Sequence, residues 1–173
     1  MTKPTLYILC GLPFSGKTTL AKKIAAYMKC TLIGFDSVWK ELESELDPKM
    51  DKVEEWKFVL NRTHDRIRDL LRKNKSVVYD DINARIEHRE ALRNIAKECH
   101  ASSIVLFVNT PLSIIKERER DNKAVQQRHD VEPENFKNAL AQFQKPRSVE
   151  NVMEYTPQTD TTLWLKNLRN KLS

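Results

Sequence analysis

Cys10-Gly11-Leu12-Pro13-Phe14-Ser15-Gly16-Lys17-Thr18-Thr19 is the stretch that decides how this chain of 173 residues reads. Gly11 to Thr18 fill every fixed position of the pattern G-x-x-x-x-G-K-[ST], and they use two of the chain's three glycines. An apolar run, Leu6-Tyr7-Ile8-Leu9-Cys10, leads in, and Leu20, Ile24, Ala25 and Met28 follow at helical spacing. Strand, loop and helix in that order turn the pattern into a physical claim. Gly11 permits a tight turn, and Gly16 lets the backbone close on an anion with no side chain in the way. Successive amide groups and the helix N-terminus then face phosphates. Gly11, Pro13, Phe14, Ser15, Gly16, Lys17, Thr18 and Thr19 are therefore the candidate contacts to a nucleoside triphosphate. Lys17 can reach the outer phosphates, and the Thr18 hydroxyl can serve a magnesium ion.

Bulk composition is consistent with a globular protein that handles an anion. Apolar residues make up 40% and charged residues 31%, with a net charge of +6. The length suits one domain with a sizeable core, expected to span 1–173. No stretch approaches the ~20 apolar residues of a membrane span. The first strand begins too near the start to leave room for a signal peptide. Cys10, Cys30 and Cys99 are odd in number and lack C-x-x-C spacing, so buried thiols and a reducing, cytoplasmic setting are expected.

Strand and helix patterns alternate along the chain, which argues for an α/β fold with a parallel sheet wrapped by helices. Strands are expected at 6–10, 31–35, 76–79, 104–108 and 151–155. Helices are expected at 17–29, just after Asp36, at about 50–73, at 86–100, from Pro111 to about Arg120, from Pro133 onward and at 161–172. Thr110 reads as the cap of the helix that Pro111 opens. Residues 119–132 are almost wholly polar and read as a connection between two helices, either a lid over bound phosphates or a solvated loop.

In such sheets ligands sit beyond the carboxyl ends of the strands, so polar residues there are informative. Asp36 follows the second strand and reads as a general base for an acceptor hydroxyl, as a helix N-cap, or as both. Asp80 and Asp81 follow the third strand, and one of them would hold magnesium opposite Thr18. Arg118, Arg120 and Arg128 border the polar segment; they could neutralise a transferred phosphoryl group or form a solvated, ion-paired face. Arg118 and the loop at 156–158 are the candidates for an adenine pocket. The four histidines have no ligand spacing and read as surface or capping groups. The three tryptophans read as core.

These residues resemble the small P-loop kinases that include the polynucleotide 5′-kinase domain and chloramphenicol phosphotransferase. The matching stretches are 11–18, Ile33-Gly34-Phe35-Asp36, Val77 to Asn83 with Arg89 after it, the helix carrying Arg118 and Arg120, and Ala141 to Pro146. The resemblance implies a P-loop NTPase, nucleoside-kinase-like, three-layer sandwich. Its five-stranded parallel sheet would run in the order 2-3-1-4-5, with a helical lid at about 111–145. It implies ATP and Mg2+ as donor and cofactor, and Asp36 as the acceptor's base. Ser37-Val38-Trp39 stands where polynucleotide kinases carry an arginine for the acceptor phosphate. From Lys40 to Lys57 four lysines face seven acids, a wall unfriendly to a polyanion. The expected activity is transfer of the ATP γ-phosphate to a hydroxyl of a small molecule. A polynucleotide or nucleotide kinase and a non-catalytic nucleotide-binding switch are the alternatives.

Overall fold

The computed structural model describes residues 3–125 and 133–172. Five strands, β1 (Thr5–Cys10), β2 (Thr31–Gly34), β3 (Val77–Asp80), β4 (Ser102–Val108) and β5 (Val152–Tyr155), form one sheet in the order β2-β3-β1-β4-β5. Every neighbouring pair is parallel, with Leu6 opposite Val77 on one side and Ser103 on the other. This is the order expected of the P-loop kinase fold.

The central strand explains why the sheet needs helices on both faces. All six residues of β1 are buried, so its side chains alternate into two separate cores. Leu6, Ile8 and Cys10 point to one face, where α2 (Phe35–Leu42), α3 (Lys52–Arg72) and α4 (Ile86–Glu98) contribute Val38, Val59, Ile67, Leu92 and Ile95. Tyr7 and Leu9 point to the other, where α1 (Lys17–Met28) and α7 (Thr161–Leu172) contribute Leu20, Ile24, Trp164 and Leu168. Two further helices, α5 (Leu112–Val125) and α6 (Pro133–Gln142), lie between β4 and β5 in the chain.

Local chemistry sets several boundaries. Asp51 accepts from the amides of Val53 and Glu54 at 2.8 and 2.9 Å, while Glu54 accepts from the Asp51 amide at 3.0 Å. That capping box starts α3 at Lys52, two residues after the sequence expectation. With glycine scarce, Lys29, Asn74 and His100 take the left-handed conformation after helices, at φ of 53°, 57° and 54°. The three cysteines are free, and burial pushes the Cys10 thiol up to about 12, so it stays inert.

The structure corrects three expectations. Phe35 was expected to end a strand, but β2 stops at Gly34 and Phe35 opens α2. The polar segment at 119–132 was expected as a connection, yet α5 continues through Val125; its remaining residues, Arg128 among them, lie outside the described residues. His64 and His88 are partly buried rather than on the surface, with the His88 ring 5.5 Å from that of Trp56. Burial pulls the His64 imidazole down to about 4.

Candidate active site

The loop at 11–18 joins β1 to α1, and its backbone is held in shape from three sides. The Gly11 amide donates to the Ile82 carbonyl at 3.1 Å, tying the loop to the turn after β3. A side chain at Gly11 would sit 2.8 Å from the Val108 carbonyl oxygen, so only glycine lets the loop pass β4. Phe14 and Gly16 take positive φ, 61° and 101°. A non-glycine residue in that region is strained, and such strain tends to collect at ligand sites.

The loop meets the chemical requirements of an anion site. Gly16 caps α1 without a side chain, leaving the first-turn amides for a ligand. The Ser15 hydroxyl is buried and has no hydrogen-bond partner among the described residues, an orphaned polar atom that a phosphate oxygen would satisfy. Lys17 is only 8% exposed, and its ammonium donates to the Leu12 carbonyl at 2.8 Å. Burial lowers its pKa, opposed by the charges of Asp80, Asp81, Cys10 and Asp36.

The two aspartates after β3 have different surroundings. The Thr18 hydroxyl lies beside the Asp80 carboxyl and offsets part of the effect of burial on it. Asp81 instead accepts from the Tyr79 hydroxyl at 3.1 Å and from the Ile82 amide at 2.7 Å. Burial holds both carboxyls above the usual carboxylate range, and the charge of Asp36 adds to the shift. Asp36 itself is exposed in the first turn of α2, where Gly34 rather than Asp36 takes the cap position. Asp36 therefore shares one end of the sheet with Lys17, Asp80 and Asp81 without serving as the N-cap.

The arginines separate clearly. Arg118 Nη1 donates to the carbonyls of Phe14 and Ser15 at 3.1 and 3.0 Å. Arg120 is exposed, and two residues along a helix turn about 200°, so it faces away from the loop. Beside the loop lies a cleft of about 470 Å³ whose lining includes Phe14, Thr19, Lys23, Arg118, Tyr155 and Pro157. It brings Arg118 together with the segment after β5, where the sequence suggested an adenine pocket.

Two supports take roles that the sequence reading did not give them. The Thr110 hydroxyl donates to the Ser15 carbonyl at 2.8 Å, and α5 starts at Leu112 rather than at Pro111. Arg89, fully buried, donates from Nε and Nη2 to the Glu150 carboxylate at 2.7 and 3.1 Å. Its third nitrogen donates to the carbonyls of Asn83 and Ala84, and Asn83 Nδ2 donates to the Leu9 carbonyl at 2.7 Å. The pair thus braces the turn on which the phosphate loop leans.

Among the described residues no cluster of three His, Cys, Asp or Glu side chains could hold a metal by itself, and no helix is long and apolar enough to cross a membrane.

Comparison with known proteins gives a consistent picture. An AAA domain family model (AAA_33) matches residues 6–146. The chain is 28% identical over 152 residues to L-seryl-tRNA(Sec) kinase of Methanococcus maripaludis, covering 82% of this chain and 53% of that protein. It thus spans about half the length of that relative. Among solved structures, Kti12 of Chaetomium thermophilum, in complex with ADP-AlF3, superposes with a TM-score of 0.78 at 18% identity, covering 97% of this chain and 99% of that one. A gluconokinase from Sinorhizobium meliloti gives 0.67 at 17% identity, covering 99% and 97%. At these identities the structural neighbours speak to the fold alone.

Proposed function

The chain belongs to this AAA domain family of P-loop kinases, and on that premise we propose that it is an ATP-dependent phosphotransferase acting on a hydroxyl of a small-molecule acceptor. The observation that carries the reading is the meeting of Lys17, the Thr18–Asp80 pair and Asp36 at one end of the sheet. The loop amides and Lys17 hold the donor phosphates. Asp36, exposed beyond β2, takes the proton from the acceptor hydroxyl as its oxygen bonds to the γ-phosphorus. The bond from that phosphorus to the bridging oxygen breaks, and ADP leaves. Arg118 borders the nucleotide cleft, and residues of about 111–145 act as the lid within a single domain of 1–173.

Magnesium fits the oxygen donors present: Thr18 and Asp80 would hold it, since Asp81 is engaged by Tyr79 and Ile82. When bound, the ion supplies positive charge against the phosphates.

A second reading takes a nucleotide or polynucleotide as acceptor, and the similarity to L-seryl-tRNA(Sec) kinase favours it. The acidic run after Asp36 and the absence of an arginine at 37–39 favour a small molecule. A screen with γ-labelled ATP over nucleosides, 5′-hydroxyl oligonucleotides, sugars and aminocyclitols decides the matter. Label on a small molecule is expected. Label on an oligonucleotide alone selects the second reading, and slow hydrolysis without transfer selects a nucleotide switch.

A further inference from the structure

The Ser15 carbonyl accepts two hydrogen bonds from the segment after β4: Thr110 Oγ1 at 2.8 Å and Arg118 Nη1 at 3.0 Å. Both Thr110 and Ser15 are almost fully buried, at 7% and 3% exposure. Thr110, Ser15 and Arg118 also line the cleft beside the loop. Both hydrogen bonds nevertheless end on the loop's own backbone, and the way that carbonyl is held determines what the next amide presents.

The reason is the geometry of a trans peptide, which sets the carbonyl of one residue antiparallel to the N–H of the next. None of the described peptide bonds is cis. Pulling the Ser15 oxygen toward Thr110 therefore turns the Gly16 N–H the opposite way, into the cradle at the start of α1. Gly16 needs such restraint more than most residues. It has no Cβ to limit rotation, and a Cβ placed there would meet only Arg118 Nη1, at 3.4 Å. Thr110 is suited to the task because its branched side chain is stiff at χ1, and its backbone continues a strand anchored by the Asn109 amide on the Tyr155 carbonyl at 2.8 Å.

We propose that Thr110 is a positioning residue for the phosphates: through the Ser15 carbonyl it fixes the Ser15–Gly16 peptide so that the Gly16 amide points at the anion. The inference rests on the nucleotide-binding reading above. It assigns Thr110 no contact with nucleotide; its effect passes through the loop backbone. Arg118 shares the carbonyl but is itself exposed, so the buried threonine is the firmer of the two holds.

The test compares Thr110→Val, which keeps the shape and removes the hydroxyl, with Thr110→Ser, which keeps the hydroxyl. ATP and adenosine are titrated by calorimetry against the full chain and both variants. Thr110→Val is expected to weaken ATP about five- to tenfold, the effect of losing one oriented hydrogen bond. Adenosine, lacking phosphate, should bind all three proteins alike, and Thr110→Ser should restore ATP affinity. A packing role alone would affect both ligands and would not be rescued by serine.

A second readout is direct. Gly16 is the only glycine that follows a serine, so carbonyl-carbon-13 serine with nitrogen-15 glycine isolates the Ser15–Gly16 peptide by NMR. ATP should shift the Gly16 amide strongly in the unsubstituted chain and in Thr110→Ser, and much less in Thr110→Val. Equal ATP affinity and equal Gly16 shifts in Thr110→Val would overturn the inference while leaving the phosphotransferase reading intact. Failure of the unsubstituted chain to bind ATP would overturn both. Should Thr110→Val not fold, Thr110→Ala replaces it in the same titrations, where weakened ATP binding supports the inference and unchanged binding overturns it.

Discussion

Arg89 and Glu150, 61 residues apart in sequence, meet as a forked ion pair at 2.7 and 3.1 Å with almost no exposure of either side chain. Removing one member leaves an uncompensated buried charge, which costs about 3–5 kcal/mol. Glu150→Gln should therefore lower the melting temperature by roughly 10 °C, at about 2–4 °C per kcal/mol for a domain of this size. Arg89→Met combined with Glu150→Leu should lose less than Glu150→Gln alone. Thermal denaturation of the three variants checks the order.

The same pair sets an acid limit. Burial disfavours the Glu150 carboxylate, but the Arg89 fork and the Arg147 amide outweigh it and its pKa is lowered. An acid whose folded pKa lies below its unfolded value stabilises the protein above the unfolded pKa and loses that contribution as pH falls through the folded one. Stability should accordingly drop as pH falls below about 4.5, the ordinary glutamate range. In Glu150→Gln this part of the pH dependence should disappear from denaturation curves.

Asp80 works in the opposite direction. Its pKa is raised by burial, so its charge at neutral pH opposes folding of the nucleotide-free chain. That cost is absent below the unfolded pKa and grows as pH rises through the raised folded value. Asp80→Asn should raise the melting temperature at pH 7 and abolish the magnesium dependence of ATP binding. A lowered melting temperature would contradict the first expectation.

Lys17→Ala should weaken ATP about 10- to 100-fold, the range for losing a charge-assisted contact. Calorimetry with and without magnesium measures it. Adenosine affinity should stay unchanged, because the ammonium lies at the phosphate loop and not in the neighbouring cleft.

Asp36→Asn should lower kcat about 10²–10⁴-fold, the range attributed to a positioned base, with ATP affinity nearly intact. Transfer at the ordinary rate would remove Asp36 from the mechanism. Asp36 is exposed and lies outside the cap position of α2, so little change in melting temperature is expected.

What the sequence reveals follows from how local each signal is. The loop at 11–18 and β1 are readable because motif and strand are contiguous. The end of β2 is not, since an apolar Phe35 fits a strand as well as the buried first turn of α2. The extension of α5 through Val125 hides behind composition: a run of Glu, Arg, Asp, Asn and Lys looks like a loop. Thr110 reads as a cap because its partner Ser15 lies 95 residues upstream. Glu150 carries no motif at all, and only the fold brings it to Arg89.

That last separation bears on the order in which the protein is made. Chains emerge from the ribosome N-terminus first, so the loop at 11–18 is out well before residue 150. The guanidinium beneath its supporting turn waits for a carboxylate synthesised just ahead of β5. Until residue 150 has emerged, burying Arg89 would strand a charge. A nascent chain should thus be unable to lock its nucleotide site early, and competence to hold ATP becomes a sign that synthesis has passed residue 150.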